Sequence, residues 1–224
     1  ERMGYSRFAL RDVEVRRGRT RVTIARVEAA TPLVWLVRRG TKRPPSVHGG
    51  TWSVEVGSPA AGNTIRGTND GGWVPLRALL RRIAHQLDRW LPEAKVGHGD
   101  IRWPGGRLAL ASAGWAGREL TVENLVFRNV GADGKLAFPA GSDELLVSVR
   151  SGDEANSASL ASRGNSIQGD LSWWGQRATV SAVFGETGWL PRQASAEAES
   201  WDIPGRRLGV GELYAAVRGH ARLD

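Results

Sequence analysis

Two short stretches, "GDIRWPGGRLAL" at residues 99–110 and "GDLSWWGQRATV" at residues 169–180, share one pattern. Each has Gly-Asp, an aliphatic residue, a polar residue, Trp, one further residue and Gly, and each runs on into a strand-like segment. Because side chains alternate between the two faces of a strand, Ile101 shares a face with Trp103, and Leu171 with Trp173. The pattern therefore predicts β-hairpins with a tryptophan at the strand end, beside the turn.

Looser copies of the unit occupy residues 114–128 and, more weakly, 202–208. Turns containing Gly, Pro, Asn or Asp punctuate the rest of the chain about every ten residues, which is typical of an antiparallel β meander. Strands are predicted at residues 8–15, 21–28, 46–56, 95–103, 107–111, 118–127, 145–149, 160–163, 166–173, 177–184 and 194–201. The first two of these alternate with a one-residue slip, which predicts a hairpin with a β-bulge.

The clearest helical pattern covers residues 74–91, where apolar side chains recur with helical spacing and arginines fall mostly on the other face. Pro92 ends this amphipathic helix. Its apolar stripe is expected to pack on the sheet, and a helix lying on a membrane surface is the alternative. A short helix is predicted at 31–39, opened by Thr31 and Pro32, and another at 211–218.

The chain divides into an N-terminal strand-helix-strand part (1–57), a flexible loop (58–73), the amphipathic helix (74–92) and antiparallel hairpin repeats (93–224). These parts are expected to form one continuous domain. The chain starts on Glu1 close to a strand and stops at Asp224 without a closing element, so a segment of a longer protein is expected.

The chain is basic, with 31 Lys+Arg against 23 Asp+Glu and a formal net charge of +8. Arginines at solvated positions explain this charge, and attraction to phospholipid headgroups or to nucleic acid is the alternative. There is no cysteine, and hence no disulfide or thiolate metal site. The longest apolar run, residues 33–37, is too short to span a membrane.

Nothing in the sequence indicates catalysis. His48, His85, His98 and His220 do not have metal-ligand spacing. Neither a G-x-S-x-G nucleophile elbow nor a P-loop is present. We therefore expect neither enzyme activity nor a metal or other cofactor.

The 10 tryptophans need an explanation beyond core filling. An indole at a strand end can staple a hairpin by cross-strand packing, or it can line a groove for an apolar or sugar ligand.

The opening "RFALRDVEVRRGRTRVTIARVEAATPLVWLVRR" and the later hairpins "GDIRWPGGRLALASAGWAGRELTVENLVFR" and "GDLSWWGQRATV" resemble the AsmA-like family, the group that includes TamB. The resemblance covers most of the chain and lies in a pattern of hairpins without a catalytic signature. The anchor helix and the C-terminal domain of that family are not in this chain, so the subfamily stays open.

The resemblance implies a mainly-β fold in which a long antiparallel sheet curls into a taco-like groove with an apolar inner face. It implies an envelope protein of the Gram-negative periplasm, anchored in the inner membrane when full length. Such proteins carry phospholipid acyl chains between the inner and outer membranes and are linked to outer-membrane protein assembly. The implied partners are therefore phospholipid and outer-membrane assembly proteins, with membrane contact through termini absent from this chain and no nucleic acid.

If the groove is correct, its lining consists of apolar strand residues on a shared face. We predict Ile101, Trp103, Leu108, Leu110, Leu120, Val122, Leu171, Trp173 and Val180 as this lining. A glutamate at Leu110 is expected to block lipid passage with modest loss of folding.

Three other functions stay open. A carbohydrate-binding sheet predicts exposed tryptophans with polar and acidic residues between them. A nucleic-acid binder predicts a basic stripe with interleaved aromatic residues, whereas these arginines are scattered. A scaffold predicts strand addition at an open sheet edge.

Overall fold

The computed structural model describes residues 6–38, 41, 45–57, 72–128, 130–152, 156–173, 175–204 and 216–223. Most of the loop predicted at 58–73 lies outside these residues. The strands are β1 (Arg7–Arg17), β2 (Thr20–Ala30), β3 (Ser46–Gly49), β4 (Trp52–Val56), β5 (Glu93–Val96), β6 (Gly99–Trp103), β7 (Gly106–Leu110), β8 (Ser112–Ala116), β9 (Glu119–Phe127), β10 (Val130–Ala137), β11 (Glu144–Ser151), β12 (Asn156–Arg163), β13 (Ser166–Trp173), β14 (Gln176–Phe184), β15 (Pro191–Pro204) and β16 (Ala216–Leu223). The helices are α1 (Pro32–Arg38) and α2 (Trp73–Trp90).

The predicted mainly-β class is confirmed, because all the strands in the described residues belong to one 16-stranded sheet. From β9 to β16 each strand pairs with its neighbour in the chain, antiparallel throughout. At most six residues separate successive strands from β9 to β15, so the meander predicted from the turn spacing is present.

Part of the sheet is parallel, which the sequence did not predict. β3 pairs with β5 and β4 with β6, both in parallel. Helix α2 lies between these strands in the chain and supplies the long crossover that parallel pairing requires. The remaining pairings of the described strands are antiparallel.

A line of irregularities crosses the first half of the sheet. At this line, Gly50-Thr51 interrupts the chain between β3 and β4, and Gly97-His98 interrupts it between β5 and β6. Asp12 and Asn124 lie on the same line and have positive φ angles of 51° and 46°. Each irregularity shifts the alternation by one residue. The slips in 8–15 and 21–28 lie opposite each other, and the pairing has the same register on both sides of them, from Arg11 with Arg26 to Val13 with Ile24. The β-bulge predicted for this hairpin is therefore wrong, because both strands slip together and keep apolar side chains on one face.

The glycine that opens each repeated hairpin lies where two segments approach closely. A Cβ on Gly99 would overlap the Trp52 indole, whose Nε1 donates to the Gly97 carbonyl at 3.1 Å. A Cβ on Gly169 would overlap the Ser159 carbonyl oxygen of the neighbouring strand. Packing space thus accounts for the glycine at this position in both hairpins.

Two local predictions need correction. The helix predicted at 211–218 is wrong where the structure describes it, because β16 begins at Ala216 and pairs with β15. β10 was not predicted, because "VGADGKLA" contains two glycines and an aspartate, which are poor strand formers. Pairing with both β9 and β11 holds it in the sheet.

Candidate functional site

One face of the sheet carries two adjacent rows of apolar side chains, which follow from the strand register because directly paired residues share a face. The first row, here called the helix row, contains Phe8, Ala29, Val47, Ala94, Trp115, Leu120, Leu136, Val147, Leu160, Gly169, Val180 and Ala196. The second, the floor row, contains Leu10, Val27, Gly49, Val96, Ala113, Val122, Gly134, Val149, Ala158, Leu171 and Ala178. Neither row contains a polar side chain.

The opposite face of the sheet is polar at the strand positions that lie between these two rows. Its row contains Glu28, His48, Lys95, Gly114, Thr121, Lys135, Ser148, Ser159, Asp170, Thr179 and Glu197. Ion pairs such as Lys135–Glu119 at 2.7 Å occupy this face. Part of the positive charge is therefore neutralised locally on a solvated surface.

All the predicted lining residues lie on the apolar face. Leu120 and Val180 belong to the helix row, and Val122 and Leu171 to the floor row. On the far side of the line of irregularities, Ile101 pairs with Leu108, and Leu108 pairs with Phe127 of β9. Leu110 and Trp103 share this face with Leu108 and Ile101.

The predicted lining residues differ in their solvent exposure. Leu110 is buried, so a glutamate there would disrupt folding, and the modest loss expected from the sequence is corrected accordingly. Trp103 stacks on Phe127 with ring centroids 6.1 Å apart and an interplanar angle of 12°, so it connects β6 to β9 across β7 and does not staple its own hairpin. Trp173 is largely exposed at the end of β13.

Helix α2 covers the apolar face near one end of the strands. Ala84 is buried against Trp115, Phe138 and Leu145. Trp73 donates through Nε1 to the Ser162 hydroxyl at 3.1 Å. The helix therefore packs on the sheet, as the first of the two sequence alternatives predicted.

One flank of α2 is held to the loop between β10 and β11. Arg77 Nη2 lies 2.8 Å from an Asp143 carboxylate oxygen, Arg81 pairs with the same carboxylate, and Arg81 Nη2 donates to the Ser142 carbonyl at 3.1 Å. Further along, Arg118 Nη1 lies 3.9 Å from Asp88. These contacts place this flank toward the strand ends.

The arginines were predicted to lie mostly on the solvated face of α2, and Arg77 does not. Its side chain is buried, and burial lowers the pKa of its guanidinium. A buried cation requires a partner, which the Asp143 carboxylate supplies. No local spacing in the helix distinguishes Arg77 from its exposed neighbours.

The other flank of α2 is apolar and open. Leu79, Ile83 and Trp90 lie about half a turn around the helix from Arg81, and all three are exposed. Because Arg81 faces the strand ends, these side chains lie on the side of α2 away from the strand ends. The open flank and the floor row are together called the groove here.

The sequence missed parts of this groove. The open flank of α2 was assigned to the sheet-packing stripe, because helical spacing alone does not show which half of a wide stripe is covered. Val149 was within a predicted strand and shares the alternation of Leu145 and Val147, so its face could have been found. Ala158 and Gly134 were outside the predicted strands.

A concavity of about 1140 Å³ lies over strands β10 to β15, and residues of both faces contribute to its lining. The floor-row members are Gly134, Val149, Ala158, Leu171 and Ala178. Its lining includes hydroxyls, carboxylates and guanidinium groups, among them Ser159, Asp170 and Arg177. No exposed tryptophan is among its lining residues.

No family model matches the chain, and no curated protein matches it. Within the described part of the chain, neither helix is long and apolar enough to cross a membrane.

We expect Asp143→Ala to lower the free energy of unfolding by about 2 kcal/mol, because Arg77 would lose its carboxylate partner while staying buried. Urea denaturation measures this change. Glu144→Ala is the matched control, since it removes an exposed partner of Arg163 and should cost less than about 1 kcal/mol. Equal losses in the two variants would show that Arg77 does not depend on Asp143.

Proposed function

We propose that this chain binds phospholipid acyl chains in the groove and carries them along the sheet. The observation that supports the proposal is the pair of continuous apolar rows, with the open flank of α2 beside them. Exposed apolar patches of such extent typically mark binding surfaces. An acyl chain on this surface gains about 0.8 kcal/mol for each buried CH₂ group.

The composition of the floor row suits transport as well as binding. Its members are Leu, Val, Ala and Gly on successive strands, so an acyl chain meets similar surroundings at each position. Similar free energies at successive positions leave no deep well in which a lipid would be trapped. Headgroups remain in water at the open side, so the groove needs no headgroup pocket.

The setting of this activity is also part of the proposal and depends on the resemblance to AsmA-like proteins. We place the chain in the periplasm, as a segment of a protein anchored in the inner membrane, moving phospholipid between the inner and outer membranes. Assistance in outer-membrane assembly is a second role that the same surface could serve.

Two other functions receive less support. A carbohydrate site needs exposed indoles beside polar and acidic groups, but Trp103 and Trp173 share their face with aliphatic residues while Asp100 and Asp170 lie on the other. Strand addition needs an open edge, and among the described strands β1 is paired with β2 alone. A scaffold that acts through β1 is therefore the second candidate.

A displacement assay with a fluorescent fatty acid tests the groove. We expect the purified chain to bind the probe and Val149→Glu to weaken binding at least about tenfold, because a carboxylate in the floor row must be desolvated beneath the acyl chain. Val149 is exposed, so the substitution should leave the fold intact, which circular dichroism checks. Native mass spectrometry should show co-purifying phospholipid that the variant lacks.

Ser148→Glu is the matched control, since Ser148 neighbours Val149 on β11 but lies on the polar face. It should bind the probe like the original chain. If both variants bind equally well, or if the original chain binds neither probe nor phospholipid, the groove does not hold acyl chains and the scaffold function is favoured.

A further inference from the structure

Helix α1 presents an apolar ridge to solvent. Leu33, Leu36 and Val37 are 73%, 70% and 69% exposed, and no residue of α1 is buried. The spacing i, i+3, i+4 places the three side chains on one side of the helix. Such exposure of three neighbouring large aliphatic residues indicates a surface that is covered in use.

The charge around this ridge is positive. Arg38 closes the last turn of α1, and α1 contains no acidic residue. The chain as a whole carries +8. An apolar ridge next to cations complements a bilayer that contains anionic lipid, in which apolar side chains enter the interface and cations meet the headgroups.

A second exposed apolar site lies at the same end of the sheet. Both β2 and β14 run from the floor row to the helix row, through Val27 and Ala29 in β2 and through Ala178 and Val180 in β14, so both end on the side of the sheet that α2 occupies. α1 follows β2, and the loop after β14 exposes Trp189 and Leu190, the latter to 84%. Both apolar sites therefore extend from the end of the sheet that α2 occupies.

We propose that α1 docks on anionic bilayers and that this end of the sheet faces the membrane. The proposal rests on the lipid-carrying function, in which the phospholipid that enters the groove comes from a bilayer. It assigns membrane contact to a segment within this chain.

Flotation with vesicles tests the docking surface. The purified chain should float with vesicles of equal parts phosphatidylcholine and phosphatidylglycerol, and less with phosphatidylcholine alone. Leu36→Glu should reduce flotation with the anionic vesicles at least about fivefold, since the glutamate adds an anion where an apolar side chain enters the interface. High salt should weaken binding of the original chain.

Two controls separate the possible causes. Leu146→Glu makes the same change of charge at an exposed leucine of β11 and should float like the original chain. Val149→Glu should also float normally while losing the fatty-acid probe, so failure of docking and failure of the groove are distinguishable. Normal flotation of Leu36→Glu would overturn the proposal.

A second copy of the chain is the competing occupant of the ridge. Light scattering of the original chain should show a monomer. A dimer that Leu36→Glu dissociates, with flotation unchanged, would overturn membrane docking and assign the ridge to self-association.

Discussion

Leu145→Ala should lower the free energy of unfolding by about 3 kcal/mol. Leu145 is 0% exposed and belongs to the cluster with Ala84, Trp115 and Phe138, where α2 meets the sheet. Truncation removes apolar contacts and leaves a cavity that neither the strands nor the helix can fill without losing other contacts. Urea denaturation gives the change, which should appear in the transition midpoint with an unchanged slope.

The next residue along β11 supplies the control. Leu146 is 38% exposed on the opposite face, so Leu146→Ala should cost less than about 1 kcal/mol. The two variants make the same chemical change on adjacent residues. Similar losses would mean that α2 does not cover this face of β11, and the groove would then consist of the floor row alone.

Gly169→Ala should destabilise the chain by about 2–3 kcal/mol, the range typical of overpacking. The added Cβ would overlap the Ser159 carbonyl oxygen and lie 2.8 Å from the Leu160 Cα, which are both backbone atoms of β12. Backbone atoms cannot rotate away as a side chain does, so β12 and β13 must move apart and weaken their hydrogen bonds. Thermal and urea denaturation both measure the loss.

Gly134→Ala is the matched control in the floor row. No atom lies within 4 Å of the added Cβ, and its φ is not in the left-handed region. This substitution should leave stability unchanged or raise it by up to about 1 kcal/mol, because alanine restricts the unfolded chain. A loss at Gly134 as large as that at Gly169 would show that the spacing between β12 and β13 is not the cause.

The residues of the groove show how much of a binding surface a local sequence pattern can predict. Within each hairpin the predicted residues share a face as expected, because alternation depends only on the extended backbone of one strand. The slips at 8–15 and 21–28 are present in the structure, but both strands slip together, so no β-bulge lies between them. The apolar faces of separate hairpins lie on the same side of the sheet only because the strands pair in a particular register. A single unrecognised bulge would have moved the apolar side chains of all later strands to the other face.

Elements were missed where pairing overrides local preference. β10 has a sequence of poor strand formers and is held from both sides. The segment at β16 has helical spacing but pairs with β15. Strand preference depends strongly on such neighbours, and these are not visible in a local stretch of sequence.

By itself, the sequence determined that the chain forms β-hairpins, where most of them turn, and which side chains of one hairpin share a face, because backbone geometry imposes those properties over a few residues. Only the tertiary structure decided the parallel pairing across α2, the continuous apolar rows, the burial of Arg77 and the open flank of the helix. Each of these depends on residues distant in the chain, which come together through pairing and packing of the whole sheet.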